Sequence, residues 1–311
     1  MNINDMPLVS LCTPTFNRRP FIPFMIKCFS QQLYPKNRIE WIIIDDGTDP
    51  IKDLVKDIPQ VKYYYYEDKM ELGKKRNLMH SKCSGDIIVY MDDDDYYPPE
   101  RISHAVDMLQ QNPKFLIAGS SEMHIYFDSK KHIYKCGPYA PYHATAATFA
   151  FKKELLTQTH YDESKSFAEE KVFTKNYTIP LLQLNTLKTI LVFSHQHNSL
   201  NKERLLQNPK LSKVILSQYE VSDFIKNPIL KQFYMEDINN VLEQYEAGKI
   251  ENKPILLKEL KIKEMTDKLK IKGNNTRYFN NMDEMRDYYE KQLADKTLLI
   301  NKLLLKVKEL S

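Results

Sequence analysis

The sequence predicts an α/β protein, with a Rossmann-like, mostly parallel sheet, helices on both faces and an α-helical C-terminal extension. Short β-branched runs alternate with segments whose apolar residues recur at helical spacing. The connections between them are only a few residues long, as in a parallel sheet covered on both faces. Polar clusters follow the first, second and fourth runs, at the edge where open α/β sheets bind ligands.

Residues 8–13 read as the first strand, stopped by Pro14, and the turn that follows holds Thr15, Phe16, Asn17, Arg18 and Arg19. Residues 21–33 carry Phe21, Phe24, Met25, Cys28 and Phe29 at helical spacing. Residues 41–44 form a second strand running into Asp45, Asp46, Gly47 and Thr48. A short helix over 50–57, a strand over 61–66 and a helix over 71–82 bearing Lys74, Lys75, Arg76 and Asn77 come next. The fourth strand, from Ile87 to Met91, ends in Asp92, Asp93, Asp94 and Asp95, and a helix is expected over 99–111. Residues 115–118, 124–127 and 144–151 read as further strands, and residues 167–173 as the start of a helix.

Composition narrows the function. A chain of 311 residues with 42% hydrophobic and 28% charged residues describes a globular protein of one large domain or two ordinary ones. No apolar run reaches the roughly 18 residues of a membrane span. Met1 to Pro7 lacks the basic start and apolar core of a signal peptide, and four cysteines without CxxC spacing suit reduced thiols. A cytoplasmic location is therefore expected. Residues 251–311 hold 14 basic against 10 acidic residues and account for the whole net charge of +4. No basic footprint for nucleic acid emerges. With seven glycines, the chain contains neither a GxGxxG fingerprint nor a GxxxxGK phosphate loop. A nucleotide would have to be held by side chains and a metal.

Four adjacent carboxylates repel one another unless a cation or donors neutralise them. Fixed at the end of a buried strand, they suit a divalent metal that leaves positions open for phosphate oxygens.

These pieces together resemble glycosyltransferase family 2 with the GT-A fold, over residues 7–200. The resemblance rests on Pro14-Thr15-Phe16-Asn17, on Asp45-Asp46-Gly47-Thr48, and on Lys74 to Asn77 before Gly85-Asp86. It continues with the Asp92 to Asp95 run, Glu169-Glu170 and His197, all in the family's order. It implies a metal-dependent, inverting transfer of a sugar from a nucleotide sugar, most simply UDP-linked, to a glycan, protein or lipid hydroxyl. Thr13, Pro14 and Asn17 would then frame the base, Asp46 would accept from its ring nitrogen, and Arg76 would contact the nucleotide. The acid run matches the family's DxD, with Asp92 and Asp93 on the donor and Asp94 on the metal. Four acids in a row leave that register open by one residue. Glu170 takes the place of the general base, one methylene longer than the usual Asp. His197, chosen over His195, would reach the metal or the diphosphate, which favours Mn²⁺ over Mg²⁺. A sugar nucleotidyltransferase would need a Gly-rich phosphate loop where this chain has Thr-Pro-Thr-Phe-Asn. A non-catalytic nucleotide-binding subunit is the other alternative.

Beyond residue 200 the resemblance stops. Residues 203–226, 229–247 and 253–271 read as helices, broken by prolines and by a Gly273-Asn274-Asn275 turn. From about Met282, apolar residues at Tyr289, Leu293, Ile300, Leu303, Val307 and Leu310 alternate by four and three, with the polar Lys296 between. The expected organisation is a transferase domain over 1–200 and a helical extension over 201–311, with 282–311 able to form a homodimer.

Overall fold

The structure, a computed structural model, describes residues 3–166, 168–198, 201–207, 209, 213–254, 257, 258, 260–262 and 282–309. The chain divides into two compact units, Met1–Leu257 and Lys258–Ser311. The expected boundary at 200 therefore falls inside the first unit.

The first unit is built on a seven-stranded sheet. Its strands are β1 (Val9–Thr15), β2 (Ile39–Asp45), β3 (Val61–Tyr65), β4 (Ile87–Tyr90), β5 (Ile117–Gly119), β8 (Ala150–Lys152) and β9 (Leu181–Gln183). The order is β3-β2-β1-β4-β8-β5-β9, and only β8 runs antiparallel to its neighbours. Period-2 alternation gives the central strands β1, β2 and β4 two buried faces. Leu11, Trp41, Ile43 and Val89 enter one core, with Met25 and Phe29 of helix α1 (Ile22–Ser30), Val55 of α2 (Lys52–Val55), and Ile102 and Val106 of α4 (Arg101–Gln111). Cys12, Ile42, Ile44, Ile88 and Tyr90 enter the other, against Met79 of α3 (Leu72–Lys82) and Phe173. A smaller sheet of β6 (Met123–Phe127), β7 (His132–Cys136), β10 (Leu191–Ser194) and β11 (Val214–Leu216) has the order β10-β6-β7-β11.

Several elements differ from expectation. Pro14 does not stop β1, which continues to Thr15 beside β2. The carbonyl of Cys12 points to the β4 side, where it accepts from the Met91 N–H at 3.1 Å. Pro14, two residues on, turns its nitrogen to that same side, beyond the last β1–β4 pair at Cys12 and Tyr90, so its missing N–H costs no ladder bond. The stretch 144–151 is only a strand at its end. The Thr148 hydroxyl donates to the Thr145 carbonyl at 2.7 Å and curls residues 146–148 into a 3₁₀ turn before β8.

The expected helix over 203–226 breaks into a turn of helix at Arg204–Gln207, strand β11 and a short helix at Val221–Phe224. Antiparallel pairing of β11 with β7 overrides its helical spacing. Pro228 to Glu243 is helical through a π-turn at Phe233–Asp237, and Asn227 caps it by accepting from the Ile229 and Leu230 N–H groups. Leu230, Phe233, Tyr234, Ile238 and Leu242 bury in the same core as β1, which is why these residues belong to the first unit.

In the second unit, Met282–Glu309 is one 28-residue helix. Phe167, Ser199, residues 263–271, the Gly273-Asn274-Asn275 turn and Leu310 lie outside the described residues. Among the described residues no helix is long and apolar enough to cross a membrane. All four cysteines are free and buried.

Candidate active site

The carboxyl ends of β1 and β4 open onto a cleft of about 160 Å³. Its wall includes Pro14, Phe16, Arg18, Lys75, Arg76, Asp92, Asp93, Asp94 and Lys253. The acid run follows β4 directly and is held open by the Tyr97 hydroxyl, which accepts from the Asp92 N–H at 2.9 Å. Two arginines answer three acids. Arg18 Nε lies 3.5 Å from Asp93 Oδ1 and its NH2 lies 3.2 Å from Asp94 Oδ2. Arg76, on α3, places NH2 3.8 Å from Asp92 Oδ1 and Nε 3.0 Å from Glu169 Oε1.

The surroundings push the three acids in different directions. Burial pushes Asp93 up to about 7, Arg18 opposing and Asp94 adding to the rise. Burial would also raise Asp94, but Arg18 and His195 together carry it well below the usual carboxylate range. Asp92 is raised by burial against the pull of Arg76. Asp95 faces away, its Oδ1 accepting from the Phe193 N–H at 3.2 Å. The structure thus puts residues 92–94 at the cleft and turns the fourth acid into β10.

Asp92 Oδ1 and Arg76 NH1 are buried without a hydrogen-bond partner, which a bound ion or ligand would supply. No three His, Cys, Asp or Glu side chains among the described residues make a complete metal site. The donor set nevertheless fits a hard cation held by one or two carboxylates, with phosphate and water oxygens completing its shell.

The histidines exchange their expected places. His195 Nε2 stands 3.3 Å from Asp94 Oδ2 and 2.8 Å from Asn198 Nδ2. His197 meets the acid cluster only through its backbone, its carbonyl accepting from Arg18 NH1 at 3.0 Å. Neither of its ring nitrogens has a hydrogen-bond partner, and burial draws the ring down to about 4.

Three residues expected at the base lie behind the wall. The Thr13 hydroxyl donates to the Met91 carbonyl at 2.7 Å and accepts from Trp41 Nε1 at 2.9 Å, tying the strand ends together. Asn17, at φ 51°, accepts from the Asp49 N–H at 3.1 Å and donates to the Ala247 carbonyl at 2.8 Å. Asp46 is fully buried, ion-paired to Lys75 and accepting from the Met70 N–H at 2.7 Å. Its charge reaches the cleft only through Lys75. Pro14 and Phe16 remain at the wall, with Lys69 Nζ 4.6 Å from the Phe16 ring centre.

The acidic pair has divided roles. Glu169 is pinned by Arg76, whereas Glu170 opens the single-turn helix α5 (Glu170–Phe173) with no ion-pair partner among the described residues. Burial, with Glu169 beside it, raises Glu170 to about 7. Lys175, Asn176 and Tyr177 then take three successive left-handed conformations and bring the Tyr177 hydroxyl to 3.5 Å from Glu170 Oε1. Such strain persists only where the surroundings hold it. Glu170 is outside the cleft lining proper, reached from Asp92 by way of Arg76 and Glu169.

The family profile described as "Glycosyl transferase family 2" matches residues 10–206. The chain belongs to glycosyl transferase family 2. Its central sheet is mostly parallel with helices packed on both faces, as the motifs lead one to expect. A putative teichuronic acid biosynthesis glycosyltransferase of Bacillus subtilis, TuaG, is 26% identical over 126 residues, 39% of this chain and 49% of that protein. Poly(ribitol-phosphate) β-N-acetylglucosaminyltransferase TarS of Staphylococcus aureus is 24% identical over 116 residues, 33% of this chain and 19% of that protein. Its structure in complex with UDP-GlcNAc aligns with 84% of this chain and 80% of its own at 16% identity, with a TM-score of 0.48. A mannosyltransferase of Pyrobaculum calidifontis solved with GDP-Man and Mn²⁺ aligns with 61% of this chain and 57% of its own, at 16% identity and a TM-score of 0.48. By sequence the chain spans half or less of these curated relatives.

Sequence reasoning did not single out Arg18, Lys75, His195 or Lys253. Arg18 follows Asn17 directly and Lys75 precedes Arg76, so the two-arginine turn and the lysine pair are the local signals for them. Nothing local marks Lys253.

Proposed function

We propose that the protein is a metal-dependent, inverting glycosyltransferase that moves a sugar from a UDP-linked donor to an acceptor hydroxyl. The observation that carries this reading is one cleft that brings together three strand-end carboxylates, two arginines and an aromatic ring, with Arg76 linking it through Glu169 to the acidic pair.

Each residue then has a task. Phe16 offers its face to the base, and Lys75 and Arg76 offset the negative charge of the diphosphate. Asp92 and Asp94 would hold Mn²⁺ or Mg²⁺, which when bound offsets charge on the departing diphosphate. Glu170, near 7, takes the proton from the acceptor hydroxyl as it attacks the anomeric carbon, the pKa range in which a base serves best at neutral pH. Glu169 keeps Arg76 in place rather than moving protons. The sugar–phosphate bond breaks as the new bond forms on the opposite face, so the configuration inverts. Charge gathers on the leaving phosphate, and fixed cations there favour the transition state over the ground state.

Free, buried cysteines suit a reducing compartment, and a cytoplasmic setting belongs to the proposal. So does pairing of the terminal helix with a second copy, on which Leu293 and Leu298 are 68% and 56% exposed.

Thermal unfolding with UDP, GDP and CMP, each with and without Mn²⁺, tests the donor. A ligand at a hundredfold excess over Kd adds about 2.7 kcal/mol. A Mn²⁺-dependent shift with UDP that Asp94→Ala abolishes is the expected result. No shift with any nucleotide would sink the reading.

A further inference from the structure

The family profile ends at residue 206, yet part of the cleft wall comes from later in the chain. Residues 245–253 lie across the turn that follows β1. The Tyr245 hydroxyl donates to Asp49 Oδ2 at 2.8 Å, and Asn17 Nδ2 donates to the Ala247 carbonyl at 2.8 Å. At Gly248 the approach is so close that a Cβ would stand 3.0 Å from the Asn17 carbonyl oxygen and 2.6 Å from His197 Nδ1. Only a residue without a side chain lets this strap lie down.

The strap delivers Lys253 to the cleft, within electrostatic reach of Arg18, Asp94, Asp93 and Lys69. Lys253 is 4% exposed, and its ammonium donates to the His197 carbonyl at 3.3 Å. Among the described residues it makes no ion pair, since Arg18 already answers the two nearest acids. A lysine buried this deeply with one long hydrogen bond is costly unless an anion arrives to pair with it. Phosphate oxygens are that kind of partner, and a lysine meets them as a point charge.

We propose that Lys253 binds the diphosphate of the donor, and that residues 245–253 are the strap that completes the donor cleft. The inference rests on the donor reading above. It adds a third cation to the leaving-group end, supplied by a segment outside the family's matched region.

Titration of the full chain with UDP and with uridine, in Mn²⁺, separates the diphosphate contact from the base contact. Lys253→Met is expected to weaken UDP about ten- to a hundredfold, the scale of a lost charge-assisted hydrogen bond, and uridine hardly at all. Lys253→Arg keeps most of the UDP affinity. Gly248→Ala, which must lift the strap, lowers the preference for UDP over uridine in the same direction. An unchanged preference in Lys253→Met, or equal loss of both ligands, overturns the inference while the donor reading stands. Failure of the unaltered protein to bind either ligand overturns both.

Discussion

Replacing Glu170 with glutamine separates what this carboxyl does from what its burial costs. In the folded protein burial lifts it from 4.5 to about 7, with Glu169 adding to the rise. The folded state therefore keeps a proton that the unfolded chain releases above about pH 4.5. The sign follows: the contribution to stability is fully present below 4.5 and is lost as the pH climbs through 7. At about 1.4 kcal/mol for each pH unit, the ionised carboxylate costs the native state up to about 3 kcal/mol at pH 8. Glutamine has nearly the same shape and never ionises. In urea unfolding, Glu170→Gln should match the unaltered protein near pH 4 and exceed it by about 2–3 kcal/mol at pH 8. Sugar transfer should fall by about 10²–10⁴-fold, while UDP binding stays as it was. In the unaltered protein, transfer should rise with pH through 7 as the base forms. Equal stability at pH 8, or transfer by Glu170→Gln at the original rate, would refute the reasoning.

Lys75→Met strands the fully buried Asp46 carboxylate and should cost about 3–5 kcal/mol in urea unfolding. The double variant Lys75→Met, Asp46→Asn should recover much of that loss; no recovery would mean the pair is not what the lysine provides. Gly73→Ala would drive a Cβ to 2.0 Å from the Asp162 carbonyl oxygen, so α3 must move. A loss of about 1–3 kcal/mol is expected, with weaker UDP binding because Lys75 and Arg76 ride on the same helix. Deleting residues 280–311 should halve the mass measured by light scattering if the terminal helix pairs two copies. An unchanged mass removes that proposal.

The fold was legible where burial is two-sided. Trp41 to Ile44 and Ile87 to Tyr90 read as strands because alternate residues enter two different cores, and both sets must be apolar. The site was legible as residue types but not as directions. Asp92, Asp93, Asp94 and Asp95 are identical in sequence, and only the bond from the Phe193 N–H to Asp95 distinguishes the one that faces inward. The resemblance puts Thr13, Asn17 and Asp46 on the ligand, while their partners in the structure are Trp41, Ala247 and Lys75, all distant along the chain. His195 and His197 are separated by one residue, and the choice between them depends on which side of the chain the Asn198 turn presents. β11 was read as helix because its pairing with β7 leaves no mark in a window of local spacing.

The bond between Asn17 and Ala247 joins residues 230 positions apart. A chain leaving the ribosome builds its N-terminal elements first. Through most of synthesis the parallel sheet can therefore be paired while the turn after β1 still lacks its cover and Lys253 does not yet exist. Contacts of such long range are late and slow to form. The binding cleft would be the last part of this unit to mature, because its cover and Lys253 follow every strand of both sheets in the chain.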